Sequence, residues 1–153
     1  MKKYTPLLIS LGIAFGVAFL GSSVTTPSIS GWYASLNKPS FNPPAWVFAP
    51  VWTILFAMMA IASFLVWKKQ KKMKIPLQLY GIQLFLNFLW SFLFFGLRRP
   101  DLALLEIALL WIVIQLTLRA FYAVDKLASY LLVPYILWVS FAAFINFSIV
   151  LLN

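Results

Sequence analysis

Residues 31–52 read GWYASLNKPSFNPPAWVFAPVW, and this stretch is neither a plain apolar run nor a charged connector. It carries three of the seven tryptophans and four of the nine prolines of the chain, namely Trp32, Trp46, Trp52, Pro39, Pro43, Pro44 and Pro50. Proline fixes φ and restricts the residue before it, so the run Asn42-Pro43-Pro44 is not helix interior. We therefore predict a stiff, aromatic-rich loop that leads into a helix at about Pro44 and forms the roof of a binding pocket.

The composition around this stretch is that of an integral membrane protein. Hydrophobic residues make up 63% of the 153 residues and charged residues 10%, against roughly 45–50% and about 25% in soluble domains. The net charge is +9, but the basic residues lie between apolar runs, where they set membrane topology, so nucleic acid is not an expected partner. The chain has no cysteine and no histidine. Disulfides, Ser-His-Asp chemistry and Cys or His metal sites are thereby excluded, and no metal site is expected.

Five apolar segments are long enough to cross a bilayer. We place the spans at about residues 6–24, 45–67, 75–97, 102–124 and 127–152. Nine of the twelve Lys and Arg residues fall on the side of the N-terminus, which predicts a cytoplasmic N-terminus and an outside C-terminus in a bacterial cell membrane. The expected fold is an all-α integral membrane protein: one domain, residues 1–153, forming a five-helix bundle with a long Pro/Trp-rich loop between helices 1 and 2.

Unusual residues gather in the half of the bilayer beneath that loop. Trp52 lies six residues inside Trp46, roughly 9 Å deeper at 1.5 Å per residue. On span three a polar and aromatic stripe lies at helical spacing, made of Gln83, Asn87, Trp90, Ser91 and Phe94. Glu106 and Asn146 fall in the same half, and since lipid-facing polar groups are unfavourable, we expect all of them to face the bundle interior.

Each of these residues also has a structural interpretation. Asn87 and Asn146 are equally compatible with interhelical hydrogen bonds and no ligand. Glu106 is as well explained by an ion pair with Arg98 or Arg99. The more specific functional signal is Trp52 with Trp138, because two indoles on different helices within the membrane suit a planar aromatic ligand, and the small Ala142 beside Trp138 leaves room for it.

The same residues form four spaced motifs. These are WYASLNKP at 32–39, PPAWVFAPVWT at 43–53, Q-x3-N-x2-W-x3-FFG at 83–96 and PY-x2-W-x2-FA-x3-N at 134–146. In this order they resemble the translocator protein family, also called TspO or the peripheral benzodiazepine receptor, and bacterial members in particular.

The resemblance implies a homodimeric receptor for porphyrins and benzodiazepine-type aromatic drugs. By position, the implied pocket residues are Trp52, Trp138, Asn87, Trp90, Ala49, Ala142 and Ile145, closed by Trp32, Tyr33, Pro43 and Pro44. To these the depth argument adds Phe94, Glu106 and Asn146. The sterol-recognition pattern of animal members is missing after Asn146, so cholesterol binding is not inferred. Leu102 replaces the family's aromatic residue at the start of helix four.

Three functions follow from this pattern. The first is a tetrapyrrole-binding membrane protein that needs no cofactor and takes protoporphyrin IX or haem as ligand. The second is a light-dependent porphyrin-degrading enzyme, with Trp52 and Trp138 as catalytic residues. The third is a porphyrin or lipid transporter, which ranks last because the spans show neither broken helices nor a proton relay.

Overall fold

The computed structural model describes residues 2–153, and within them the chain is helical without a strand. In chain order the helices are α1 (Thr5–Ser28), α2 (Phe48–Gln70), α3 (Ile75–Ser91), α4 (Pro100–Val124), α5 (Lys126–Leu131) and α6 (Val133–Leu152). A π-helical turn extends α1 through Ile29–Tyr33 and another extends α3 through Phe92–Gly96, while a 3₁₀ turn, Ala45–Val47, precedes α2. With α5 and α6 forming one span, five segments are long and apolar enough to cross a membrane.

Helix boundaries follow local chemistry. Proline stands in the first turn of α1, α3, α4 and α6, where its missing N–H has no helical partner to lose. The helix α2 ends at Lys71, whose φ of 52° is left-handed. Asp125 begins α5 by accepting a hydrogen bond from the Ala128 N–H at 3.0 Å.

The first span is longer than the sequence indicated. We expected it to end near residue 24 and the loop to begin there, but helical structure continues through Tyr33. Pro27 lies inside α1 without ending it, and the Ser28 hydroxyl donates to the Phe95 carbonyl oxygen at 3.0 Å, which ties this end of α1 to α3. The loop proper is therefore residues 34–44, and Trp32 and Tyr33 belong to the last helical turn before it.

Uneven packing between the helices creates space at the loop end of the bundle. The helix α1 packs on α2 and α3, and α4 packs on α3 and α6, whereas α2 meets the fifth span mainly through α5. The tightly packed core accordingly lies toward the lysine-rich end, around Met59, Ala60 and Val66. Toward the loop end, α2 and α6 separate, and the space between them is the candidate site.

Candidate functional site

A cavity of about 470 Å³ lies beneath the loop, between the first, second, third and fifth spans. Ten of the residues expected at the site line it, namely Tyr33, Ala49, Trp52, Asn87, Trp90, Phe94, Trp138, Ala142, Ile145 and Asn146. Its volume is within the roughly 300–1,000 Å³ of small-molecule sites. The wall is mainly aromatic, with a few amide and hydroxyl groups.

Two indoles face this cavity from different spans without touching each other. The Trp52 ring packs on Phe56 and Tyr135, with centroids 5.7 and 6.3 Å apart. The Trp138 ring packs on Phe48 and Phe141 at 5.9 and 5.7 Å. Such edge and tilted contacts hold each indole in a fixed orientation, so both rings are fixed parts of the wall against which a planar group could pack.

Neither of these two indole N–H groups has a hydrogen-bond partner within residues 2–153. Trp52 is half-buried, whereas Trp138 Nε1 is fully buried. A buried donor normally has an acceptor, because leaving it unpaired is unfavourable by about 1–3 kcal/mol. Trp138 therefore has an unused hydrogen-bond donor, which is buried away from the surface of the cavity that its ring lines.

Asn146 and Trp90 are joined in a hydrogen-bonded chain at the loop end of the cavity. The Trp90 Nε1 donates to Asn146 Oδ1 at 3.0 Å, and Asn146 Nδ2 donates to the Pro100 carbonyl oxygen at 2.9 Å. The Trp90 ring in turn stacks on Phe94 at 5.0 Å. Asn146 thus fixes the orientation of the Trp90 ring from α6.

Asn87 belongs to a second network, which forms the inner end of the cavity. Its Nδ2 donates to the Tyr135 hydroxyl at 2.9 Å, and that hydroxyl donates to Gln83 Oε1 at 2.6 Å. All three side chains are buried. Both interpretations of the asparagines thus have structural support, since Asn87 and Asn146 bond across helices and also line the cavity.

Four expected site residues lie outside the cavity wall. Trp32 packs behind it, against Phe94 at 5.6 Å, and Pro43 and Pro44 belong to the loop above. Glu106 lies on α4, which contributes no residue to the wall. Its carboxylate is buried with no hydrogen-bond partner among residues 2–153, and the ion pair considered for it is absent because Arg99 binds Asp101 at 2.7 Å.

Other lining residues were not expected from the sequence. They lie mostly on α1, with Phe15, Phe19, Ser22, Thr25 and Thr26 among them, and on α2 and the end of the third span, with Phe48, Phe56 and Phe95. The hydroxyl residues were the available signal, because the run GSSVTTPS at 21–28 is unusually polar for a membrane span. Depth counting was applied to the other four spans and did not use it.

The loop is fixed at two points, to Asn153 at the end of α6 and to the end of the first span. Asn153 Oδ1 accepts the Asn37 backbone N–H at 3.1 Å, and Asn153 Nδ2 donates to the Asn37 carbonyl oxygen at 2.9 Å. The Lys38 ammonium donates to the carbonyl oxygens of Tyr33 and Leu36 at 2.9 and 3.1 Å. Lys38 therefore caps the end of the first span.

Comparison with known proteins agrees with the motifs. Residues 9–152 match the TspO/MBR family. The chain is 48% identical to the tryptophan-rich protein TspO of Chlorobaculum tepidum, over 99% of this chain and 98% of that protein. It is 40% identical to the human translocator protein over 86% of this chain and 80% of that protein. It is 36% identical to the tryptophan-rich sensory protein of Cereibacter sphaeroides over 90% and 88%.

Proposed function

The chain belongs to the TspO/MBR family, and from that premise we propose that it binds a porphyrin or a similarly flat aromatic molecule in the cavity under the loop. The observation that carries the proposal is that Trp52 and Trp138 line one cavity from different spans without contacting each other. Aromatic pairs contribute about 0.5–1.5 kcal/mol beyond the area they bury. A planar ring between two fixed indoles gains that contribution on each face.

The unpaired donor supports a ligand with acceptor atoms at its edge. Trp138 Nε1 is buried without a partner, and a carbonyl, carboxylate or ring nitrogen of the ligand would satisfy it if the indole turned this edge toward the cavity. A porphyrin offers such atoms in its pyrroles and propionates, and benzodiazepine-type drugs offer amide carbonyls. Binding would thereby remove the penalty of the unpaired donor.

The propionate groups of a porphyrin would need a cationic partner, and the structure leaves few free cations near the loop. The cations at the loop end of the bundle are Lys38, Arg98 and Arg99. The Lys38 ammonium is engaged by backbone carbonyls, and Arg99 forms two hydrogen bonds to Asp101. Arg98, in a left-handed conformation with φ 56°, has no ion pair among residues 2–153. We assign the propionate interaction to Arg98.

Metal-free porphyrin should bind at least as well as haem. Imidazole, thiolate, thioether and phenolate are the side chains that ligate haem iron in proteins. The cavity wall contains none of the first three, and its phenol, Tyr33, donates its hydroxyl to Asn42 Oδ1 at 3.3 Å. Absorbance titration with metal-free protoporphyrin IX and with haem compares the two affinities directly. Tight binding of haem alone, with the spectrum of a defined axial ligand, would contradict the proposal.

The binding site itself is tested with a matched pair of tryptophan variants. Trp138→Phe keeps an aromatic ring and removes the N–H. Trp111→Phe removes an indole N–H that donates to Ser140 Oγ at 2.9 Å, away from the cavity. We expect Trp138→Phe to weaken porphyrin binding about 2- to 10-fold, the value of one hydrogen bond, and Trp111→Phe to leave it unchanged. Equal affinities in both variants would show that the Trp138 N–H does not contribute to binding.

Light-dependent degradation of the bound porphyrin is the second candidate. It is favoured by the position of both Trp52 and Trp138 on the cavity wall, where an excited porphyrin could oxidise a stacked indole. The test is illumination of the complex in air, followed by the loss of porphyrin absorbance. If Trp52→Phe and Trp138→Phe bleach the porphyrin as fast as the parent protein at equal occupancy, the tryptophans are not catalytic.

We also propose that the chain forms a homodimer through the exposed faces of α1 and α3. Gly12 and Gly16 on α1 and Gly81 on α3 have no atom of the described chain within 4 Å of where a Cβ would stand. Small residues on a lipid-facing helix allow close approach of a second helix. Native mass spectrometry of Gly16→Leu should show loss of dimer, while Gly31→Leu, equally open but in the last turn of the first span, should not.

The proposed orientation places the N-terminus in the cytoplasm of a bacterial cell. Its support is the excess of lysines and arginines at the end of the bundle that carries Lys68 to Lys74. Because the chain has no cysteine, a single Lys72→Cys or Asn37→Cys variant can be labelled in intact cells with a membrane-impermeant maleimide. Only Asn37→Cys should react.

A further inference from the structure

The cavity wall includes six residues that are exposed on the outer surface of the protein. Three lie on the first span and three at the start of the second, and together they form what we call the lateral mouth: Phe19, Ser22 and Thr26 opposite Ala45, Ala49 and Thr53. Within each set the spacing is three or four residues, which is one face of a helix. Residues that both line a cavity and lie on the surface mark the place where the cavity opens.

At the loop end, by contrast, the cavity is sealed. Tyr33, Phe94 and Ile149 line it there and are only 7%, 2% and 0% exposed, whereas Phe19 at the lateral mouth is 72% exposed. The loop above is held by the reciprocal Asn37 and Asn153 bonds. The opening therefore lies at the side of the bundle and not under the loop.

The packing of α1 explains the opening. At this level α1 is held against α3: a Cβ on Gly21 would lie 3.6 Å from Ser91 Oγ, and one on Gly96 would lie 2.9 Å from a Val24 methyl. Glycine allows this close approach because it has no side chain. The loop end of α1 therefore packs against α3, and a gap remains there between α1 and α2.

The lateral mouth faces lipid. Both helices that frame it are membrane spans, and on the second span the mouth extends from Ala45 to Thr53, eight residue steps or about 12 Å at 1.5 Å per residue. The exposed Trp46, next to Ala45, is typical of the membrane interface. The opening therefore runs from the interface into the hydrocarbon of one leaflet.

We propose that the ligand reaches the cavity sideways from the lipid, through the lateral mouth, while the loop stays closed. The inference rests on the proposed function and narrows the ligand class to amphiphiles dissolved in the membrane. Hydroxyls on both sides of the mouth suit the passage of a polar edge. Thr53 donates to the Ala49 carbonyl oxygen at 2.7 Å, and a hydroxyl that donates in this way can still accept a hydrogen bond.

The route is tested by blocking the mouth. In a chain without cysteine, Ser22→Cys and Ser23→Cys each accept one bulky maleimide. Ser22 lines the cavity, whereas its neighbour Ser23 is exposed but does not. Stopped-flow tryptophan quenching then follows uptake of metal-free protoporphyrin from vesicles that contain the protein.

The label at Ser22→Cys should slow association and dissociation at least tenfold, whereas the label at Ser23→Cys should change neither rate. Unchanged rates with the label at Ser22→Cys would overturn the route. So would a weaker equilibrium affinity without slower association, because the label would then be filling the cavity and not blocking a passage.

The second part of the experiment loosens the loop above the cavity. Asn153→Ala removes both bonds from the Asn153 side chain to Asn37 and leaves only the bond from Asn37 Nδ2 to the Leu152 carbonyl oxygen at 3.3 Å. It therefore loosens the loop without touching the cavity wall. If ligand passes the lateral mouth, both rates remain at the parent value. A several-fold increase would place the route through the loop. Absence of saturable porphyrin binding in the unlabelled parent protein would instead contradict the proposed function itself.

Discussion

Tyr135 offers the sharpest test of how the inner end of the cavity is held together. Its hydroxyl donates to Gln83 Oε1 at 2.6 Å and accepts from Asn87 Nδ2 at 2.9 Å, and the side chain is 1% exposed. Replacing Tyr135 with Phe preserves the ring and deletes both bonds. Gln83 and Asn87, which are also buried, then each lose a partner.

The expected loss of stability follows from these two bonds. A buried hydrogen bond contributes about 0.5–1.5 kcal/mol net, and a buried polar group left unpaired is unfavourable by about 1–3 kcal/mol. Measured values between membrane helices are smaller, averaging about 0.6 and reaching about 1.7 kcal/mol. Tyr135→Phe should therefore lower the free energy of unfolding by about 1–3 kcal/mol, which raises the unfolding equilibrium constant roughly 5- to 150-fold.

The assay is unfolding by SDS in mixed micelles, followed by circular dichroism and extrapolated to zero SDS. Tyr130→Phe is the matched control, because Tyr130 is 56% exposed and its hydroxyl makes no hydrogen bond within residues 2–153. It should stay within about 0.5 kcal/mol of the parent protein. If Tyr135→Phe is no less stable than Tyr130→Phe, the network does not hold α3 and α6 together.

Three further outcomes are expected. Asn146→Ala should release the Trp90 indole, whose N–H it accepts at 3.0 Å, and weaken porphyrin binding about 2- to 10-fold, which titration against the parent protein measures. Hydrogen bonding to Lys69, at 2.9 Å, lowers the pKa of the Asp125 carboxyl outside the membrane. The pair therefore stabilises the fold above the unfolded-state pKa of about 4, and its contribution, about 0.2–1 kcal/mol for a partly exposed pair, is lost as the pH falls through the lower folded-state pKa. Unfolding in SDS at pH 7 and pH 3 should show this loss in the parent protein and not in Asp125→Asn. Gly96→Ala would place a methyl group 2.9 Å from a valine on α1 and should destabilise by about 1–3 kcal/mol, as read in the same assay.

Much of the fold could be predicted from the sequence because membrane insertion depends on the composition of each segment. Long apolar runs separated by prolines and charged residues located the spans, and their number agrees with the structure. The end of the first span was placed too early, at residue 24, because a proline inside a polar-looking stretch resembles a helix end. In the structure, the hydrogen bond from Ser28 to α3 helps hold the helix beyond that point.

The sequence predicted how deep each site residue lies in the membrane, but not which way its side chain points. Counting residues from the membrane interface placed Asn87, Trp90 and Asn146 at the level of the cavity, and all three line it. Glu106 was counted to the same level by the same rule, yet α4 lies behind α3 and α6 and turns this carboxylate away from the wall. Depth follows from the helical rise alone, whereas direction depends on how each helix is rotated against its neighbours.

The sequence by itself determined that this chain crosses a membrane five times, and that its tryptophans and amides lie beneath a stiff loop, because apolar length and helical rise are properties of single segments. Only the tertiary structure decided which of these groups meet. It joined Trp90 to Asn146 and Asn87 to Tyr135, and it sealed the loop end while opening the side of the cavity. The physical reason is that an opening depends on the distance between two helices. Here that distance was set by glycine contacts between α1 and a third helix, α3.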